Sequence, residues 1–324
     1  MSVKHATFLC ILLSLTSSVF AGEQDDELNW LKTITFAVHQ AEYSGIFVYQ
    51  NGSRVETSRI THVVDRDGEH GRLEAMDGAR REIIRSNGEV WCYLGDRKMR
   101  LEERRAGGSF PALLPEQMAL LNENYQIRRV EDDRVAGFPT HAMEFQPRDS
   151  LRYTHKMWAH SDSGLLLKAQ VLDDRGRAIE QYAFIQLSIG GNVDRSWLAV
   201  ESSPGQPMIK SNAGYAPHAE LPEYSSGWQV DMLPAGFKKV AEIQRPMHGR
   251  NGQVTQIVFS DGLAGISVFI EKAEDDESRV RLSGQGLIQI YSRQVDDHLV
   301  TVVGEVPPRT VIQVGDSVRF AGNP

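Results

Sequence analysis

Cysteine is almost missing from this chain: there are two in 324 residues, and one of them, Cys10, stands inside an N-terminal apolar run. Once that run is removed, Cys92 is alone, no internal disulfide can form, and stability has to come from burial. Cys92 lies in Val90-Trp91-Cys92-Tyr93 and reads as a small buried hydrophobe on a strand, not a reactive thiol. Long apolar runs are lacking after residue 20, so no later segment is expected to span a bilayer. Positive charge is in deficit, with 35 Lys and Arg against 43 Asp and Glu and a formal net charge of −8. Neither a polybasic stripe nor an RNA-binding aromatic signature is present, which makes nucleic acid a poor partner.

Catalytic motifs are scarce too. There is no G-x-S-x-G elbow, no Walker loop and no H-E-x-x-H pair. His155 and His160 share a strand, but a five-residue offset turns them to opposite faces, which argues against joint metal ligation. Gly284-Gln285-Gly286 imitates part of a phosphate loop, yet a strand follows it where a helix is needed. No metal and no cofactor are expected. These absences move the reading from an enzyme towards a binding protein.

What is present begins with a secretory signal. Lys4 and His5 precede an uncharged run from Ala6 to Phe20, and Val19-Phe20-Ala21 offers the small residues a signal peptidase reads. The run is too short and too rich in Ser and Thr for a membrane anchor, so residues 1–21 are expected to be cleaved and the chain exported. An amphipathic helix is predicted over Asp25–Tyr43, with Leu28, Leu31, Ile34 and Val38 at helical spacing. Strands follow at Gly45–Gln50 and Ser53–Val64 around the hairpin signal Asn51-Gly52, then at Arg72–Met76, Arg81–Arg85 and Glu89–Tyr93. The basic, glycine-rich run Arg97–Gly108 reads as a loop, and Leu113-Leu114-Pro115-Glu116 as the start of a short helix reaching Asn122.

The best-marked stretch is Val135–Gly190. Strands Thr140–Gln146, Tyr153–His160, Leu165–Leu172 and Ala178–Ser188 are separated by Pro, Gly and Asp turns, an antiparallel meander. Its last strand is apolar on both faces, through Ile179, Ala183, Ile185 and Leu187 on one side and Tyr182 and Phe184 on the other. Such a sheet must be covered on part of its second face. Residues 198–226 are rich in Pro and Gly without periodicity and read as a linker between 22–197 and 227–324. In the second domain Trp228–Met232, Phe237–Ile243, Val254–Ser260, Ala264–Glu271, Gly286–Val295 and His298–Gly304 read as strands. Pro307-Pro308 starts a helix through Val311, Ile312 and Val314, its register interrupted at Gly315.

A concave, partly uncovered sheet in the first domain is the natural place to hold something apolar. Trp91, Tyr93, Tyr153, Met157 and Trp158 on strands, with Met118 and Leu121 on the short helix, are the candidate lipid-binding side chains, since aromatics and methionines suit an adaptable apolar surface. A closed core without a ligand fits the same pattern.

Several segments resemble the RseB/MucB family. They are Gly45-Ile46-Phe47-Val48-Tyr49-Gln50-Asn51-Gly52, Met76-Asp77-Gly78-Ala79-Arg80-Arg81-Glu82, Arg134-Val135-Ala136-Gly137, and Pro147-Arg148-Asp149 with Arg152-Tyr153. In the second domain they are Asp261-Gly262-Leu263-Ala264, Ser267-Val268-Phe269-Ile270-Glu271 and Val302-Val303-Gly304-Glu305-Val306-Pro307. The resemblance implies an α+β architecture: an N-terminal domain like the periplasmic lipoprotein carriers, an open antiparallel β-barrel around a helical plug, plus a smaller C-terminal α/β domain. It implies a periplasmic regulator in envelope-stress signal transduction. Such a protein binds the periplasmic segment of a membrane-bound anti-sigma factor, shields it from proteolysis, and lets go when an amphiphile such as lipopolysaccharide or a lipoprotein is bound. Trp228, Phe259, Phe269 and Tyr291 are the candidates for the anti-sigma surface, and a homo-oligomer is compatible with the same reading. The alternative is a periplasmic lipid or lipoprotein carrier, which would need no second domain.

Overall fold

The computed structural model describes residues 19–86, 89–95, 97–101, 110–111, 113, 119–191, 193, 195–198, 209–210, 225–246, 252–273 and 280–322. The expected signal (1–18 of it), most of the 198–226 linker, residues 102–108 of the expected Arg97–Gly108 loop, Met118 and most of the expected start of the short helix lie outside the described residues. Arg97–Leu101 of that loop is a strand paired with its neighbour, which corrects the loop reading there.

The first unit opens with helix α1 (Val19–Gln40). It ends earlier than its apolar spacing suggests, because Tyr43 already belongs to the first strand and stacks its ring on His62 of the next. Six strands follow as a meander: β1 (Tyr43–Asn51), β2 (Arg54–Asp65), β3 (Gly68–Ala75), β4 (Arg81–Ser86), β5 (Glu89–Leu94) and β6 (Arg97–Leu101). Helix α2 (Ala119–Asn124) leads into β7 (Tyr125–Val135), β8 (Phe138–Pro147), β9 (Thr154–His160), β10 (Leu166–Leu172) and β11 (Ala178–Ile189). A 3-10 turn (Arg195–Leu198) and a two-residue strand β12 (Ile209–Lys210) complete the unit.

All twelve strands form one sheet in the order β12-β6-β5-β4-β3-β2-β1-β11-β10-β9-β8-β7. Neighbours are antiparallel except β12, which adds to β6 in parallel. The sheet is rolled: β7 and β11, four places apart, approach one another. It is not closed into a barrel, since among the described residues β12 and β7 do not pair. The outer strand β7 carries Arg128, Arg129, Glu131, Asp132, Asp133 and Arg134 and a register shift between Val130 and Asp133. Charge and a bulge are what keep an exposed edge from pairing with another chain.

Alternation decides which residues meet the helix. Tyr43 and Phe47 of β1 point with Ile60 and Leu73 to the face on which Leu31 and Ile34 of α1 are buried. Each such side chain, fully buried, contributes about 1.5–3 kcal/mol of apolar transfer. Gly45, between Tyr43 and Phe47, has no room for a side chain: a Cβ there would lie 2.5 Å from the Gln186 carbonyl oxygen, where β11 presses in at a bulge.

The second unit contains β13 (Trp228–Val230), β14 (Lys238–Pro246), β15 (Gln253–Ser260), β16 (Gly265–Lys272), β17 (Arg281–Gln285), β18 (Ile288–Val295), β19 (His298–Gly304), helix α3 (Pro308–Asp316) and β20 (Val318–Phe320). Six of these make an antiparallel sheet, β14-β15-β16-β19-β18-β17, and β13 pairs with β20. The expected α/β organisation is therefore corrected to α+β. Neighbouring strands are antiparallel throughout: β14–β15–β16 and β17–β18–β19 are each joined in sequence, with turns at Asp261-Gly262 and Asp296-Asp297, β16 pairs with β19, and among the described residues no helix crosses between parallel strands. Helix α3 covers one face with Val311 and Val314. Gly315 continues the helix instead of interrupting it; a Cβ there would meet the Tyr291 ring at 2.5 Å.

Candidate functional site: the seam between the two units

The two units meet along the ends of β7, β9 and β11 on one side and the β15–β16 turn with the residues flanking α3 on the other. At its centre Asp261 is buried. Its Oδ2 accepts from the Tyr125 hydroxyl (2.9 Å) and from Arg152 Nε (2.6 Å). Its Oδ1 accepts from the backbone N–H groups of Leu263 (3.0 Å) and Ala264 (2.8 Å), which shapes the turn. Arg152, also buried, donates to Asp149 and to the Ala235 carbonyl, and its guanidinium lies over the Phe237 ring at 5.1 Å. Thr310 Oγ1 donates to the Leu151 carbonyl (2.8 Å), and Arg309 pairs with Asp174 nearby. Burial and the Asp261 carboxylate push the Tyr125 hydroxyl well above its ordinary pKa. Burial works against the Arg152 charge, but Asp261 and Asp149 more than offset it.

Beside this knot is a cavity of about 150 Å³. Met157, Ala169, Val171 and Tyr182 of the first sheet form one wall; Leu263, Leu287 and Glu305 of the second unit form another. Glu180 stands at its edge, holding the Tyr49 hydroxyl (2.9 Å) and Asn51 Nδ2 (3.3 Å). Burial raises the Glu180 carboxyl, and partial desolvation beside the cavity together with Glu180 raises Glu305, which keeps an exposed side. No group of three or more His, Cys, Asp or Glu among the described residues could hold a metal ion. The site is a small hollow of mixed lining, in which Met157, Val171, Leu263 and Leu287 alternate with His155, Gln170, Glu180 and Glu305, and it is suited to binding.

His155 faces this cavity, edge-on to the Tyr125 ring at 6.3 Å, and burial lowers its pKa to about 4 against the pull of Asp261. In the unfolded chain an imidazole titrates near 6.5. The neutral ring is therefore accommodated at no electrostatic cost above about pH 6.5, and stability is lost as pH falls from there to 4, by on the order of 2–3 kcal/mol. Glu180 and Glu305 act in the opposite sense, because their raised pKa values favour the folded state on acidification. His155→Gln is expected to flatten the fall of the thermal midpoint between pH 6.5 and 4. An unchanged slope would mean that the ring titrates freely.

The residues expected to bind lipid do not share one surface. Met157 lines the cavity and Leu121 is buried in the same core. Trp158, next along β9, points to the opposite face, between the ammonium groups of Lys156 (4.8 Å) and Lys168 (4.3 Å). Trp91 and Tyr93 are also on that opposite face: their neighbour Cys92 pairs with Ile83, which pairs with Leu73 on the helix side. The Lys98 ammonium lies over both rings. Tyr153 is buried at the seam with Val171 and Leu287. Met118 lies outside the described residues. Of the expected anti-sigma surface, Phe259 and Tyr291 are core side chains, with the Tyr291 hydroxyl bonded to Asp316 Oδ1 (2.7 Å), and this corrects their assignment to a surface. Phe269 is half-buried on the face turned away from α3, and Trp228 is half-buried against His298 and Phe320. Sequence reading missed His155, Glu180, Tyr182, Leu287 and Glu305 as neighbours. Arg152 and Asp261 were visible only as parts of separate motifs.

Two family models cover the chain. The MucB/RseB N-terminal domain matches residues 26–201 and the MucB/RseB C-terminal domain matches residues 222–319. The chain belongs to the MucB/RseB family. It is 31% identical over 324 residues to the sigma factor AlgU regulatory protein MucB of Pseudomonas aeruginosa, covering 97% of this chain and 98% of that one. It is 25% identical over 293 residues to the sigma-E factor regulatory protein RseB of Escherichia coli, covering 90% and 89%. Among solved structures, the MucA/MucB complex of Pseudomonas aeruginosa matches with a TM-score of 0.74 at 29% identity, over 92% of this chain and all of the MucB/RseB chain compared. MucB in complex with MucA(peri) matches with a TM-score of 0.73. The family is one of regulatory, binding proteins. Its match spans both units, and two of the segments that carry the resemblance, Pro147–Tyr153 and Asp261–Ala264, meet at the seam.

Proposed function

We propose that this protein is a periplasmic regulator that binds the periplasmic segment of a membrane-bound anti-sigma factor, protects that segment from regulated proteolysis, and releases it when an amphiphile is bound. The observation that carries the reading is the full-length, two-unit match to proteins named as sigma factor regulators, one of them solved with MucA. Export rests on the signal-like residues 1–21. A lipid or lipoprotein carrier acting alone is less well supported, because the second unit is tied to the first by a buried ion pair and contributes a wall of the cavity.

Release is a linkage. An amphiphile shifts the protein between partner-holding and partner-free states only by the difference of its affinities for the two. A cavity whose walls come from both units supplies such a difference, since what fills it senses how the units are set against each other. The test is titration of the purified mature protein with the periplasmic segment of its anti-sigma factor, with and without lipopolysaccharide. Tight binding that weakens as lipopolysaccharide is added is expected. Absence of binding in both conditions, with lipid uptake intact, would sink the regulator in favour of the carrier.

A further inference from the structure

Helix α3 is too short for the sheet it covers. Its nine residues rise about 13 Å, while the eight-residue strands β15 and β16 run about 26 Å. The helix packs at the Gly304 end, where that glycine lies against Val306 and Val311. At the far end of the same face its place is taken by the ribbon β13–β20, with Trp228 and Phe320 opposite each other. The ribbon does not fill the space. A groove of about 420 Å³ remains, and it shares no lining residue with the seam cavity.

Wall, rim and floor of this groove all suit a cation. The wall is a group of three rings: the Trp228 indole stands at 69° to the His298 imidazole and at 58° to the Phe320 ring, with centroids 5.1 and 5.3 Å away. Rings set at steep angles around a hollow can offer their electron-rich faces to a positive group. Phe320 is 54% exposed and so is open to a ligand. The rim carries Glu271, Asp296 and Asp297 against Lys272, and Asp297 holds His298 at 2.8 Å. The floor is Ile270 and Thr255. Thr255 pairs with Ile270, two residues before Ile257 on the face that α3 covers, and it is only 8% exposed. Among the described residues its hydroxyl has no hydrogen-bond partner. A buried hydroxyl in that state calls for a partner from outside the chain.

We propose that this groove binds the side chain of an arginine carried by an extended peptide. The guanidinium suits each part of it. It is flat and stacks on rings, it has N–H groups for both the Thr255 hydroxyl and the carboxylates of Asp296 and Asp297, and it never loses its charge. An ammonium group, compact and strongly hydrated, gains less from the rings. The mouth favours a peptide over a free small cation. Gln244 and Gln253 place amides there, each both donor and acceptor, of the kind a peptide backbone pairs with. Strand β14, which carries Gln244, is an outer strand of its sheet, so an extended chain can run along it. The inference goes beyond the regulator reading and stands whether or not the peptide belongs to the anti-sigma factor.

The experiment uses the full mature chain and capped tripeptides with arginine, lysine or citrulline between two glycines; citrulline keeps the shape of arginine without its charge. Putrescine serves as the free amine. Titrations are followed by NMR at the Trp228 indole N–H and the Thr255 methyl group. The arginine peptide is expected to shift both signals to saturation, with the citrulline peptide about tenfold weaker, the step for a hydrogen bond to a charged group. Thr255→Val, which keeps the shape of the floor, and the double variant Asp296→Asn/Asp297→Asn are each expected to weaken the arginine peptide severalfold. Equal binding of the arginine and citrulline peptides, or shifts that spare Trp228 and Thr255, would overturn the proposal. Putrescine binding as tightly as the arginine peptide would overturn the peptide and give the groove to free amines. Should a variant fail to fold, the comparison of probes on the wild type decides alone.

Discussion

Replacing Asp261 by alanine is expected to destabilise the folded molecule by about 3–5 kcal/mol, the range for removing one partner of a buried ion pair. The loss is large because of what stays behind. Arg152 would keep its charge with a side chain that is 1% exposed, the Tyr125 hydroxyl would lose its acceptor, and two turn N–H groups would lose theirs. Chemical denaturation followed by tryptophan fluorescence checks it, with five tryptophans divided between the units. The double variant Asp261→Ala/Arg152→Met is expected to recover part of the loss, since an apolar replacement leaves no orphaned charge. A single-variant loss below about 1 kcal/mol would mean that water reaches the pair and that the seam is looser than its geometry.

Leu31→Ala is expected to cost about 2–5 kcal/mol by the removal of buried methyl groups and the cavity they leave. Leu31 is fully buried and, with Ile34, fastens α1 to the sheet. Phe36, on the same helix, is 67% exposed, and Phe36→Ala should stay within about 0.5 kcal/mol. Denaturation midpoints of the pair check the assignment of faces. Equal losses would show that the helix is rotated about its axis relative to the sheet.

Much of the sheet was legible because hairpins advertise themselves. Asn51-Gly52 and Asp261-Gly262 mark turns that the structure contains, and the strands of the Val135–Gly190 meander fall within about two residues of where alternation puts them. The edges were not legible, for a physical reason. Strand β7 is an edge and wears a charged run without alternation, while β17 is exposed at every position and its Gly284-Gln285-Gly286 end invites comparison with a phosphate loop. Strand β12, at two residues, has no period to detect.

The candidate site shows a different limit. Alternation tells that Met157 and Trp158 point to opposite sides, and that Trp91 and Tyr93 share a side. It does not tell which side carries the helix, because that is fixed by register through β4, β3 and β2 to residues some thirty positions away. Size and aromaticity then select the wrong face as readily as the right one. Asp261 and Arg152 are 109 residues apart in sequence, and only tertiary contact reveals them as a pair.

The make-up of the seam bears on solubility. Arg152, Asp261, Arg309, Asp174 and Thr310 are all groups that water solvates well, and the apolar part of the junction is limited to a small hollow with Tyr153 and Phe237 beside it. Two surfaces of that kind can separate without presenting a broad sticky patch to other proteins in a crowded compartment. If the two units part, the parted state is therefore protected from aggregation, and the chemistry that makes the joint tight when dry also makes it harmless when wet.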